Sequence, residues 1–193
     1  IGVEPNDDMR LAGEELLSGY GRFRSLSATA EATTLPTRSA DFVTAGQAFH
    51  WFDPQAARAE FVRVLKLGGW TVLVWNTRRK AGTPFLEDYE RLLREYGTDY
   101  REVEHGWWGS PKKIRAFFRP GSVEVASFEN SQVFDLDGLK GRLLSSSYVP
   151  ASGAPGHAEM LRGLESLFRR HERDGKIVFE YDTEVYYGRL QQD

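Results

Sequence analysis

Residues 40–76, ADFVTAGQAFHWFDPQAARAEFVRVLKLGGWTVLVWN, restrict the fold more than any other stretch of the chain. They read as an apolar strand, a loop of small and aromatic residues, a helix, a Gly68-Gly69 stop and a second apolar strand. Asp53 is placed to cap the helix, and Pro54 suits its first position, where an N–H would go unsatisfied in any case. Ala57, Phe61, Val64 and Leu65 follow at i, i+4, i+7 and i+8, which makes one buried stripe. Trp70 to Trp75 is apolar on both faces, as an interior parallel strand is. Two such strands joined by a helix of about three turns predict a βαβ unit in a parallel sheet. In open sheets of this kind ligands sit outside the carboxyl ends of the strands. Chemistry is therefore expected first at residues 45–52 and 75–78.

The rest of the chain alternates in the same way. Asn6 is a candidate N-cap with Asp7 and Asp8 in the first turn, where carboxylates favour the positive end of the helix. That helix is expected to run to about Ser18 with Met9, Leu16 and Leu17 facing inward. Residues 23–28 suggest a strand, and 30–38 a loop in which Leu35-Pro36 sets an extended dipeptide. Phe85, Tyr89, Leu92, Leu93 and Tyr96 trace an amphipathic helix, and 111–118 a short one. Residues 122–134 form a strand pattern with alternating Val123, Val125 and Phe128. Helices follow at 136–144 and around Met160, Leu161, Leu164, Leu167 and Phe168, which Gly175 closes. A long alternating strand, 177–190, ends the pattern. The predicted fold is α/β, a doubly wound Rossmann-like and mostly parallel sheet. A single domain over 1–193 is expected, with a helical cap inserted at 77–118 and helices in 136–174 extending it.

Composition excludes several classes of function. The chain of 193 residues has a net charge of −3 and no cysteine. A nucleic-acid surface would show a basic excess, which is missing here. Disulfides, zinc thiolates and a cysteine nucleophile are excluded. No apolar run is long enough to span a membrane, and the first residues lack a basic-then-apolar leader pattern, so a cytoplasmic protein is expected. The histidines at 50, 105, 157 and 171 have no metal-ligand spacing, so no metal is expected. Five Trp in an aromatic content of 13% suit a pocket for an organic molecule.

Three places can carry chemistry. Glu4, at a strand's carboxyl end, can accept hydrogen bonds from both hydroxyls of a ribose, or it can be a solvated charge. Ala30 and Glu31, in a loop after a strand, can meet the edge of an adenine ring, or Glu31 is an exposed acid in a turn. In the third place, small residues at Ala45, Gly46 and Ala48 admit a ligand close to the backbone. There His50 can act as a general base near neutral pH. Its neighbours Phe49, Trp51 and Phe52 either wall off water or pack the corner. Arg78-Arg79-Lys80 reads as a solvated loop, and Trp107-Trp108 as packing of the cap.

Taken together, GVEPNDDM at 2–9, AEATTLP at 30–36, DFVTAGQAFHWFD at 41–53 and LKLGGWTVLVWN at 65–76 resemble class I S-adenosylmethionine-dependent methyltransferases. The likeness is to the type 11 small-molecule group, in particular to members similar to trans-aconitate methyltransferase. It covers residues 1–76 closely and the later strands more loosely. By this resemblance Glu4 holds the ribose of the cosubstrate, while Pro5, Asn6 and Met9 flank the adenine. Ala30 and Glu31 meet the adenine edge, Ala45, Gly46 and Gln47 lie under the methionine part, and His50 and Trp51 border the methyl group. Asn76, Arg142 and Tyr148 are the candidate acceptor-binding residues. The resemblance also implies a seven-stranded sheet whose last strand inserts antiparallel. The family's glycine-rich loop and first strand would precede Ile1, and roughly fifty residues, a βαβ unit and a helix, are expected there. A chain lacking them is expected to bind the cosubstrate poorly and to be inactive.

The activity so implied is direct in-line transfer of the sulfonium methyl group to a small organic acceptor. The protein would act as a monomer or homodimer, without nucleic acid or membrane partners. Two other readings stay open. A nicotinamide-dependent oxidoreductase would also place an acid where Glu4 stands. A non-catalytic binding or regulatory protein on a methyltransferase scaffold would account for the missing glycine loop.

Overall fold

The computed structural model describes residues 1–100 and 111–191. Trp107 and Trp108 lie outside the described residues. By backbone contacts, 1–74, 111–126 and 185–191 form one unit, and 75–100 and 127–184 the other.

The first unit begins with a short parallel pair, β1 (Gly2–Val3) beside β2 (Ser25–Leu26), with Gly2 opposite Ser25. Between them runs α1 (Asp7–Leu16), and the Asn6 side chain accepts a hydrogen bond from the Met9 N–H at 2.9 Å, as its sequence position predicts. The expected inward face of α1 is not found. None of its residues is buried; Met9 is 66% and Leu16 81% exposed, because no described residue packs over them.

β3 (Ala40–Gly46) pairs in parallel with β4 (Leu65–Arg78), and α2 (Pro54–Val64) connects them as the predicted βαβ unit. Asp53 caps α2, accepting from the N–H groups of Gln55 at 2.9 Å and Ala56 at 3.0 Å. Ala57, Phe61 and Val64 are buried as the stripe requires. The Gly68-Gly69 pair does not end this helix. α2 stops at Val64, and Leu65 is already extended and paired with Ala40. The register then shifts between Ala40 and Phe42, so Gly68, at φ +76°, lies inside a strand irregularity. A Cβ on Gly69 would come within 2.9 Å of the Leu65 side chain and 3.0 Å of the Asp41 carbonyl, so only glycine lets the chain cross there. In β4 one face (Thr71, Leu73, Trp75) is buried and the other (Trp70, Val72, Val74) half-buried, where the sequence predicts burial on both. A further helix, α4 (Pro111–Phe118), brings the Phe117 ring to 5.8 Å from Phe61 and 4.8 Å from Phe49.

The core of the second unit is made by three helices, α3 (Pro84–Tyr96), α5 (Leu136–Leu144) and α6 (His157–His171). Leu86, Tyr89 and Leu93 of α3 join Leu139 and Leu143 of α5, Met160 and Leu164 of α6 and Phe179 in one cluster. Thr83 and Asp135 cap α3 and α5 through the N–H groups of Leu86 and Gly138.

The larger sheet has the order β3-β4-β6-β5, with β5 spanning Val123–Phe134 and β6 Ile177–Gly188. Asn76 meets Thr183 and Arg79 meets Glu180, so numbers rise along β4 as they fall along β6. The same is seen between β5 and β6, where Ser122 lies against Gly188 and Gly121 against Arg189. The last strand is therefore antiparallel to both neighbours, as expected. The described residues hold six strands, as a pair and a set of four, where the resemblance implies one sheet of seven. β5 is an outer strand, and Val125 (43%) and Phe128 (57%) are exposed on it. Among the described residues no helix is long and apolar enough to cross a membrane.

Candidate functional site

Glu4 follows β1 directly, and its backbone N–H donates to the Leu26 carbonyl at 3.1 Å, which fixes it at the carboxyl end of the pair. Its side chain is folded back: Oε1 accepts from the Asn6 N–H at 2.9 Å. A carboxylate has about four acceptor positions, so one such bond leaves most of its capacity unused. Pro5, Asn6 and Met9 are exposed beside it. Glu31 is not a loose surface acid. Its Oε1 accepts from the Asp53 N–H at 2.9 Å, tying the loop after β2 to the residue that caps α2, while Ala30 beside it is half-buried.

At the carboxyl end of β3, Ala45 is buried and Gly46 has open space where a side chain would begin. Gln47 adopts φ +53° and donates its N–H to the Val74 carbonyl at 3.0 Å. A non-glycine residue in the left-handed region costs on the order of 1–2 kcal/mol. That strain is held where a strand end meets a turn, the kind of place where functional sites store it. Phe49, at 1% exposure, lies edge-on to Phe52 and Phe117, so it packs the corner. His50 is half-buried in the 3₁₀ turn Phe49–Trp51, and burial pushes its pKa below the usual 6.5. It is neutral at pH 7 and able to accept a proton. Trp51 is 75% exposed with its ring 4.7 Å from His50.

Asn76, Arg142 and Tyr148 belong to the second unit. Asn76 Oδ1 accepts from the Thr183 hydroxyl at 2.5 Å and from Asn130 Nδ2 at 3.3 Å. Arg142 donates to the Tyr181 hydroxyl at 3.2 Å and to the Ser146 hydroxyl at 3.0 Å. The Tyr148 ring lies 5.0 Å from that of Tyr100. Arg78 and Arg79 are not solvated loop residues, contrary to the expectation from sequence. Arg78 forms a buried ion pair with Glu90 and donates to the Tyr100 hydroxyl, and Arg79 pairs with Asp182 at 2.6 Å and Glu129 at 3.0 Å. Glu90 and Tyr100 went unnoticed in the sequence, and Tyr89 was read only as part of an apolar stripe, since a helical stripe reports burial and says nothing about where a hydroxyl or carboxylate ends.

No group of metal-binding side chains occurs among the described residues. Two shallow cavities of about 370 and 390 Å³ flank Arg189 beside residues 65–70, at the opposite end of β4 from the strand ends described above. They include none of the candidate residues.

Residues 1–73, which contain β1, β3, α2 and every candidate on the first unit, match the family model described as a methyltransferase domain. Over this stretch the chain is similar to methyltransferase domains. An uncharacterized methyltransferase of Mycobacterium tuberculosis is 50% identical over 78 residues, covering 40% of this chain and 31% of that one. An uncharacterized methyltransferase-like protein of Schizosaccharomyces pombe is 31% identical over 121 residues, covering 63% of this chain and 46% of its own length. The chain thus spans less than half the length of these curated relatives. A solved structure named as a type II methyltransferase of Anaeromyxobacter dehalogenans superposes with a TM-score of 0.68 at 24% identity, covering 99% of this chain and 80% of that one. At that identity the likeness shows the fold alone, a Rossmann-like α/β fold.

Proposed function

We propose that the protein transfers a methyl group from S-adenosylmethionine to a small organic acceptor by direct in-line displacement. The observation that carries this reading is the methyltransferase-domain match over residues 1–73, which ends on the strand β4 and holds Glu4 and the 45–47 turn at strand ends. The residues present fit the cosubstrate: a half-buried carboxylate with spare acceptor capacity at Glu4, and open space over the backbone at Gly46.

When bound, S-adenosylmethionine supplies a methyl group already activated by its sulfonium charge. The protein is then left with binding and orientation, which in favourable cases lower a barrier by about 7–11 kcal/mol. Glu4 accepts the ribose hydroxyls, and each charge-assisted bond is worth roughly 1.5–3 kcal/mol. Pro5, Asn6, Met9, Ala30 and Glu31 surround the adenine. Ala45, Gly46 and Gln47 present backbone to the methionine part. His50, neutral through burial, takes a proton from an oxygen or nitrogen acceptor, and a carboxylate acceptor needs no such base. The net charge of −3 supports a small-molecule acceptor over nucleic acid. A cytoplasmic monomer or homodimer is part of the same proposal. The expectation of an inactive chain finds no support in the comparisons.

Calorimetric titration of the full-length protein with S-adenosylhomocysteine tests the reading. Binding is expected, and Glu4→Ala is expected to weaken it at least tenfold. A full-length protein that does not bind S-adenosylhomocysteine overturns the function, and unchanged affinity in the variant removes Glu4 from the site.

A further inference from the structure

Three arginines of the second unit, Arg78, Arg79 and Arg142, are partly buried, and Arg79 is paired with Asp182 and Glu129. Arg78 is neutralised by Glu90. Arg142 has no carboxylate partner among the described residues. Its only polar partners there are the Tyr181 and Ser146 hydroxyls, bonded through Nε and one Nη, so the other Nη carries two N–H groups that no described residue accepts. The guanidinium also lies over the Phe179 ring, with Cζ 5.8 Å from the centroid. Leaving a guanidinium in a partly desolvated place with only neutral partners is costly unless something negative completes it.

A buried group without a described partner lies in the same cluster. The Tyr89 hydroxyl is fully buried and has no hydrogen-bond partner among the described residues. The Tyr89 ring lies edge-on to Phe179 at 5.0 Å, and Tyr181 stacks on Phe179 at 5.3 Å, so Tyr89, Tyr181 and Arg142 gather around one ring. Arg142 is the charge that acts most strongly on Tyr89, followed in the electrostatics by Tyr148, Arg78 and Tyr181. Burial pushes the Tyr89 pKa up, which keeps the phenol protonated and able to donate. Unused donors from a cation and a neutral phenol, with no acid to take them, match an acceptor-rich anion.

We propose that Arg142 and Tyr89 form an anion-binding subsite in the second unit, which takes a carboxylate or phosphate group of the methyl acceptor. The assignment to the acceptor rests on the methyltransferase reading above; the anion site itself does not. Arg142 supplies the charge and the planar fork of donors, Tyr89 adds a donor, and Tyr181 holds the guanidinium in place through Nε. Arg78 carries no such role, because Glu90 already satisfies it.

The test is calorimetric titration of the full-length protein with citrate and, separately, with inorganic phosphate, each with and without saturating S-adenosylhomocysteine. At least one anion is expected to bind, and preference for citrate or phosphate tells which group the site takes. Arg142→Met is expected to weaken that binding at least tenfold, and Tyr89→Phe threefold or more. Arg142→Lys is expected to restore part of it, whereas S-adenosylhomocysteine affinity stays as in the parent. Failure of both anions to bind, or equal binding by Arg142→Met and Tyr89→Phe, overturns the subsite. Should Arg142→Met not fold, as judged by circular dichroism, Tyr89→Phe decides alone, since it removes one oxygen and keeps the packing. Loss of S-adenosylhomocysteine binding with anion binding intact would overturn the methyltransferase reading and leave the subsite standing.

Discussion

Glu60 sits on α2 at a position where a helix usually exposes its acids, yet it is only 8% exposed. Its Oε1 accepts from the Thr33 N–H at 2.8 Å and the Thr33 hydroxyl at 2.5 Å, and Arg63 donates to both carboxylate oxygens at 2.7 Å. The Arg63 hydrogen bonds, and after them those of Thr33, lower its pKa from the usual 4.5 to about 2. A depressed carboxylate pKa stabilises the fold above the unfolded value and loses that contribution as pH falls toward the folded one. Acid unfolding is therefore expected to steepen between about pH 4.5 and 2, and Glu60→Gln to flatten that range, as followed by tryptophan fluorescence. The Arg78–Glu90 pair makes the complementary case. Both side chains are about nine-tenths buried, and deleting one partner of such a pair strands a charge. Glu90→Gln is expected to cost about 3–5 kcal/mol in urea denaturation, far more than a surface ion pair would.

For the elements, start signals do much of the specification. Asp53→Ala removes two backbone hydrogen bonds from the start of α2 and is expected to lower stability by about 0.5–2 kcal/mol, measured by chemical denaturation. The α3, α5 and α6 packing depends instead on volume. Leu143 and Leu164 are fully buried, so truncating either to alanine is expected to cost about 2–5 kcal/mol, with the spread set by how far the neighbours relax. β4 shows an element bound by local geometry, since Gly69 can accept no side chain between Leu65 and the Asp41 carbonyl.

Across the molecule, pairing is uneven. Among the described residues β4 and β6 have neighbours on both edges, β3 pairs only with β4, and β1 and β2 pair only with each other over two residues each. Phe42 on β3 is 62% exposed, and α1 shields none of its own apolar residues. In this chain, hydrogen exchange is expected to be faster for the amides of β1, β2 and β3 than for those of β4 and β6, because fewer contacts must open to release them. Comparable protection in β1 and β4 would show that this pattern of pairing does not govern local stability.

What the sequence determined alone was local chemistry. Asn6 and Asp53 cap the helices they precede because a cap needs only a short polar side chain and the next few N–H groups. The βαβ unit, the stripes of α2, α3 and α6 and the positions of Glu4 and Gly46 at strand ends were legible in the same way, since periodicity and turn residues act within a few positions. Tertiary structure decided everything that depends on a distant partner. LKLGG became strand because Leu65 found Ala40 across the sheet, although the glycine pair is a good helix stop in isolation. Arg78 became a buried ion pair because α3 presents Glu90 to it. Arg142 and Tyr89, far apart in sequence and on separate helices, meet at Phe179 only when the core of the second unit assembles. The residues 40–76 thus set a strand–helix–strand frame by local preference, while pairing across the sheet decided where its helix ends and its second strand begins.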